Sequence, residues 1–144
     1  MIKRLTSDLF VAPQISVETL AEAKEAGVTL IVNNRPEEES PDQTPGPDIE
    51  AAARALGLNY VAIPVSPGGF APWQLDALDA ALAGNAEGKT LAYCRSGTRS
   101  TLLWSLARAR GGESPDEIAE IAAAAGYDVS PIFETMHALA AGGR

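Results

Sequence analysis

The chain alternates between two kinds of segment: short apolar runs, and longer stretches in which apolar residues return every three or four positions. Leu9 to Ile15 reads as a short strand, with Pro13 placing it near an edge or an end. Ser16 caps a helix with regular turns from Thr19 to Ala26 and a stop at Gly27. Val28 to Asn33 reads as a continuous apolar run, as expected of a central strand covered on both faces. Pro36 ends it, because a proline biases the residue before it away from helix. A polar, proline-rich loop from Glu37 to Pro47 leads to a helix from Asp48 through Leu56, stopped by Gly57. Tyr60 to Val65 is the next strand, Ser66 to Phe70 a turn, and Pro72 to Ala83 a helix with Leu75, Leu78 and Leu82 on one face. Thr90 to Tyr93 is a further strand. Helices follow from about Ser100 to Arg110, Pro115 to Ala125 and Pro131 to Ala140, the last two opened by a serine cap and a proline in the first turn.

Strands alternating with helices predict an α/β fold: a central, mainly parallel sheet of about four to five strands flanked by helices. In such sheets ligands bind beyond the carboxyl ends of the strands. That rule gathers three segments around one pocket: Asn33-Asn34-Arg35, Val65 to Gly69, and the loop after Tyr93.

With 144 residues, a single domain covering positions 1–144 is expected. Hydrophobic residues make up 46%, enough for an ordinary core. No apolar stretch is long enough to span a bilayer, and the basic start lacks a following apolar signal region, so a cytoplasmic location is the default expectation, without a membrane partner. The formal charge of -8 argues against nucleic acid, which requires basic surface. The acidic run Glu37-Glu38-Glu39 with Asp42 reads as a solvated loop. One cysteine and one histidine exclude an internal disulfide and a multi-cysteine or two-histidine metal site, and neither metal nor organic cofactor is implied. His137 reads as structural or exposed, Asp76 and Asp79 as surface residues, and Trp104 as core.

The candidate chemistry lies in Tyr93-Cys94-Arg95-Ser96-Gly97-Thr98-Arg99-Ser100. A thiol between a strand end and a helix start meets unpartnered backbone amides with partial positive charge. Successive loop amides can curl into a nest for an anion. A thiolate sitting there would be stabilised and nucleophilic near neutral pH, provided the thiol is partly exposed. Gly97 allows backbone angles that a side chain forbids. Arg99 can grip an oxyanion with two hydrogen bonds. Ser96, Thr98 and Ser100 add hydroxyls, Arg95 can steer an anion at the rim, and Asn34 and Arg35 either line the same mouth or form a structural turn.

The order of elements, the Asn33-Asn34-Arg35-Pro36 turn, the Ile63-Pro64-Val65 strand and the Cys94 loop together resemble the phosphatase-like domain of the β-lactamase-hydrolase-like proteins, from about Leu9 to Ser130. The resemblance implies a fold like that of dual-specificity cysteine phosphatases, and either sulfur-transfer or phosphatase chemistry. Three features depart from the phosphatase pattern. Four residues rather than five separate Cys94 from Arg99, the spacing of many rhodanese-type sulfurtransferases. Tyr93 stands where phosphatases usually have histidine. The turn Ser66 to Gly69 carries no acid to protonate a leaving oxygen.

A positioned general acid contributes roughly a hundred- to ten-thousand-fold. Its absence favours sulfur transfer, in which the departing sulfite or thiolate needs no proton. The leading expectation is therefore a thiolate-dependent sulfurtransferase. Cys94 carries sulfane sulfur from a small anionic donor, such as thiosulfate or a persulfide, to an external thiol acceptor. The amides of Arg95 to Arg99 and the Arg99 side chain hold the anion. The alternative is a cysteine-dependent phosphatase acting on a phosphoester with a good leaving group through a phosphocysteine. The third expectation is a non-enzymatic anion- or protein-binding module.

Overall fold

A computed structural model describes residues 2–142. Its sheet joins β1 (Lys3–Arg4), β2 (Leu9–Ala12), β3 (Val28–Asn33), β4 (Asn59–Ala62) and β5 (Lys89–Tyr93) in the order β1-β2-β5-β3-β4. The β1–β2 pair is antiparallel and all other pairs are parallel. The helices are α1 (Val17–Glu25), α2 (Gly46–Ala55), α3 (Pro72–Ala83), α4 (Thr98–Arg110), α5 (Pro115–Ala124) and α6 (Phe133–Gly142).

Side chains of a strand point alternately to its two faces, and here that alternation builds two cores. Leu9, Val11, Leu30, Val32 and Ala92 pack with Leu75, Leu78, Leu103, Trp104, Ile118 and Met136 from α3 to α6. Ala12, Ile31, Leu91 and Tyr93 pack with Leu20, Ala23, Ile49 and Ala53 from α1 and α2. The inner strands β3 and β5 are buried on both faces, which is why their sequences read as nearly unbroken apolar runs. The α4 helix is likewise buried over most of its circumference, from Ser100 to Ala107.

Two expected strands are shorter than their apolar runs. The first ends at Ala12, before Pro13, which has no amide to give to a ladder. The fourth ends at Ala62 rather than Val65, because Pro64 interrupts it. Beyond that point the amides of Ile63 and Val65 still donate to Asn33 and Asn34 carbonyls, both at 2.9 Å. The second helix begins at Gly46 rather than Asp48. A Cβ at Gly46 would meet the Asn33 amide and the Tyr60 hydroxyl, so glycine lets the helix start against β3 and β4. A 3-10 turn at Ser130–Ile132 precedes α6 and shifts its start from Pro131 to Phe133. The short β1 lies outside the sequence expectation: both its residues are exposed and charged, so it carries no apolar signal. Trp104 is core, as read from the sequence, and Trp73 is exposed. Among the described residues no helix is long and apolar enough to cross a membrane.

Candidate active site

The parallel strands all end on one side of the sheet, and β5 runs there directly into Cys94. Each peptide plane points its C=O and the next N–H in opposite directions. Tying a loop's carbonyls outward therefore turns its amides inward. The Arg95 carbonyl accepts from the Gln14 amide at 3.2 Å. The Ser96 carbonyl accepts a long contact from the Tyr127 hydroxyl at 3.4 Å. The Gly97 carbonyl accepts from the amide and the hydroxyl of Thr101. The result is seen at the sulfur: the Gly97 amide donates to Cys94 Sγ at 3.1 Å.

Gly97 makes that geometry possible. Its φ is 90°, in the left-handed region, immediately before α4 begins. A Cβ there would collide with the Tyr127 hydroxyl. Of the loop amides expected to serve the sulfur, Gly97 has that contact. The Thr98 amide instead turns to Ser96 Oγ at 3.3 Å, and Ser96 Oγ donates to Thr98 Oγ1 at 3.0 Å. Cys94 itself is buried, at 0% exposure, where the sequence reading required a partly exposed thiol. The sulfur lies beneath the Gly97 amide and is closed to solvent.

Arg99 leaves the first turn of α4 and meets a partner that the sequence did not suggest. Its Nη1 and Nη2 donate to the two carboxylate oxygens of Glu39, at 2.7 and 2.8 Å, and Nη1 also donates to the Val65 carbonyl. A guanidinium has five N–H bonds. Those three contacts leave the Nε–H and one Nη2–H, which lie side by side on one edge. The bond to Glu39 is the largest influence raising the Arg99 pKa, and the Cys94 sulfur adds to it. Arg99 in turn is the largest influence holding the Glu39 carboxyl below its ordinary range; burial opposes this, and Arg35 reinforces it. Glu39 thus corrects the reading of Glu37 to Glu39 as a solvated run. Glu38 remains exposed, with a φ of 62° that is strained for a side-chain-bearing residue. Glu37 accepts from the Gly46 amide at 2.9 Å.

Asn34 and Ser100 are drawn together, but not as mouth-lining groups. Asn34 is 1% exposed: its Oδ1 accepts from Ser100 Oγ at 2.8 Å and its Nδ2 donates to the Ile63 carbonyl at 2.9 Å. It is a buried link between β3, the segment after β4 and α4. Arg35 is buried too, at 4% exposure. It donates to Glu39, Gln14 and Ser40 at 2.9, 3.0 and 3.1 Å. Arg95 is exposed at the loop's outer edge. Tyr93, in the position usually held by histidine, packs into the core on the α1–α2 face, and burial pushes its phenol far above the ordinary range. Asp76 and Asp79 pair with Arg110 on the surface. His137 is exposed, with its ring edge-on to Phe133. Sequence reasoning missed Gln14, Glu39 and Tyr127, each brought to the loop from a distant segment.

Residues 1–111 match the family model described as "Beta-lactamase hydrolase-like protein, phosphatase-like domain". The chain is 38% identical over 105 residues to a β-lactamase hydrolase-like protein of Xylella fastidiosa, covering 72% of this chain and 24% of that protein. It is 30% identical over 127 residues to one of Agrobacterium fabrum, covering 88% and 29%. The aligned parts thus span about a quarter of the length of these curated relatives. Among solved structures, a candidate phosphatase of Neisseria meningitidis superposes with a TM-score of 0.84 at 30% identity, covering 96% of this chain and 97% of that one. Human DUSP28 superposes at 0.70 with 20% identity, covering 98% and 94%, a likeness of fold. None of these relatives is described as a sulfurtransferase, so the comparisons lend the leading sequence expectation no support and favour its phosphatase alternative. The family match spans the whole sheet and the Cys94–Arg99 loop, and the chain accordingly belongs to the phosphatase-like domain family of the β-lactamase hydrolase-like proteins.

Proposed function

We propose that this domain is a cysteine-dependent phosphatase for phosphoesters with good leaving groups, aryl phosphates above all. The observation that carries this reading is the Gly97 amide aimed at Cys94 Sγ, beside an Arg99 whose guanidinium keeps one edge clear of Glu39 and Val65 and interacts with that sulfur. In the first step the Cys94 thiolate attacks phosphorus. An S–P bond forms, the P–O bond to the aryl group breaks, and its electron pair leaves on the aryl oxide. The Nε/Nη2 edge of Arg99 grips two of the phosphoryl oxygens and offsets the charge that spreads over them. Water then attacks phosphorus, releasing inorganic phosphate and returning the thiolate.

The substrate class follows from what could protonate the leaving group. The turn from Ser66 to Gly69 has no acid. Glu39 stands close to the site, but two guanidinia hold its carboxyl ionised, and it has no proton to give. An aryl oxide leaves without that proton far more readily than a serine or threonine alkoxide. A fold neighbour, TpbA of P. aeruginosa, is described in complex with phosphotyrosine, which makes an aryl phosphate a natural first probe.

The test offers purified protein p-nitrophenyl phosphate, phosphotyrosine and phosphoserine. Release of phosphate from the first two, little from the third, and none from Cys94→Ser is the expected pattern. A parallel incubation with thiosulfate, followed by intact mass, separates the chemistries. One sulfur atom retained on the wild type, without phosphate release from any ester, would overturn the phosphatase reading in favour of sulfur transfer.

A further inference from the structure

We propose that Arg35 is a positioning residue of the anion site, acting on Arg99 through Glu39 without touching the substrate. The proposal rests on the reading of Arg99 as the oxyanion grip. Arg35 is 4% exposed, and three of its five N–H groups are bonded to side chains of this chain, so it does not present itself to a ligand as a mouth residue would. Its contacts instead form a ring. Arg35 Nε donates to the Glu39 oxygen that also accepts from Arg99 Nη2. Arg35 Nη1 donates to Gln14 Oε1 at 3.0 Å. The backbone N–H of the same residue, Gln14, donates to the Arg95 carbonyl on the thiol loop. The thiol loop is therefore held at Arg99 by the Glu39 side chain and at Arg95 by the Gln14 backbone, and Arg35 is bonded to the side chains of both Glu39 and Gln14.

The chemistry of the ring explains the choice of arginine. Glu39 takes the terminal edge of the Arg99 guanidinium, and the Val65 carbonyl takes the other Nη1–H, so the plane of Arg99 is fixed and its remaining edge is presented. One carboxylate serving a single guanidinium would compete with an incoming oxyanion for that same charge. A second guanidinium on Glu39 keeps the carboxylate bound on its own side and leaves net positive charge for the ligand. A planar fork with donors in fixed directions can reach Glu39, Gln14 and Ser40 together; a lysine ammonium, a compact point charge, cannot. The strained φ of 62° at Glu38 is the residue next to this carboxylate, consistent with a loop bent to deliver it.

The experiment measures tungstate binding by calorimetry in the Cys94→Ser background, where no turnover intervenes. Arg35→Met is expected to weaken tungstate about tenfold, because it leaves the Glu39 carboxylate bound to Arg99 alone and competing with the anion for it. In the Glu39→Gln background, adding Arg35→Met is expected to cost less than about twofold, since coupled residues are not additive. Arg35→Lys keeps charge and bulk, guards against loss of fold, and should still weaken binding several-fold. Unchanged or tighter binding in Arg35→Met or Arg35→Lys overturns the proposal. So does an undiminished loss in the Glu39→Gln background, which would make Arg35 a direct ligand. The function stands apart: tungstate affinity that depends on Arg35, in a protein that releases no phosphate, sinks the phosphatase reading and keeps this one. Failure of the Cys94→Ser protein to bind tungstate at all removes both.

Discussion

Replacing Asn34 by alanine tests whether this residue is a buried strut or a ligand-binding group. The side chain makes two hydrogen bonds, to Ser100 Oγ at 2.8 Å and to the Ile63 carbonyl at 2.9 Å. All three residues are at most 2% exposed, so water cannot readily replace what is lost. Leaving a buried neutral polar group unpaired costs about 1–3 kcal/mol, so two stranded partners set a range of about 2–6 kcal/mol. Ser100 keeps a rotatable hydroxyl, which can relax more than a fixed backbone carbonyl. The Ile63 carbonyl follows β4, where Pro64 offers no amide, and has no comparable alternative. The expected loss is therefore about 2–4 kcal/mol, a large part of the roughly 5–15 kcal/mol that stabilises a typical domain.

Urea unfolding followed by tryptophan fluorescence gives the measurement, since Trp104 is buried on α4. With a slope of about 1–3 kcal/mol per molar urea, a loss of this size moves the midpoint by about 0.7 to 4 molar. Ser100→Ala should cost less, about 1 kcal/mol, because it removes one bond and strands only Asn34 Oδ1. The double variant should cost less than the sum of the two singles, by about 0.5 kcal/mol or more. A midpoint for Asn34→Ala within error of the wild type, together with weaker tungstate binding, would refute the strut and restore Asn34 to the mouth of the site.

Gly97→Ala should slow Cys94 alkylation by iodoacetamide and lower the melting temperature together. The left-handed backbone costs about 1–2 kcal/mol for a residue with a Cβ, and the added methyl also strikes the Tyr127 hydroxyl; unchanged alkylation would show that the loop amide does not serve the sulfur. Glu39 gives a pH signature. Its folded pKa lies below its unfolded value, so its contribution to stability is fully present above the ordinary glutamate value of about 4.3 and is lost as pH falls through the lower folded value. The stability gap between wild type and Glu39→Gln, measured by urea unfolding, should therefore be constant near neutrality and shrink under acid; a gap that widens in acid contradicts the sign of the linkage.

The sequence disclosed the features that depend on burial over a continuous stretch, and hid those that depend on distant partners. Strands β3 and β5 were legible because both faces are covered, so nearly every residue had to be apolar. The helix caps at Ser16 and Ser114 were legible because their partners lie three residues away, at Thr19 and Glu117. Glu39 was not. In a run of three glutamates nothing local marks the one whose carboxylate meets a guanidinium sixty residues further on. Asn34 and Ser100 were misplaced for a related reason: the same polar groups suit a wet mouth or a dry strut, and only the packing around them decides which.

The shorter spacing between Cys94 and Arg99 requires a similar separation of effects. It fixes how tightly the loop closes, and the observed closure, with the Gly97 amide on the sulfur and one Arg99 edge clear of Glu39 and Val65, would hold a thiosulfate or a phosphoryl group by the same donors. The spacing therefore does not choose the atom transferred. The missing acid acts on a different quantity, the basicity of the group that departs. Sulfite, a thiolate and an aryl oxide all leave without a proton, whereas an alkoxide does not. The acid-free turn from Ser66 to Gly69, which first argued for sulfur, thus restricts a phosphatase to aryl esters just as firmly, and of the two readings it is the phosphatase that has relatives behind it.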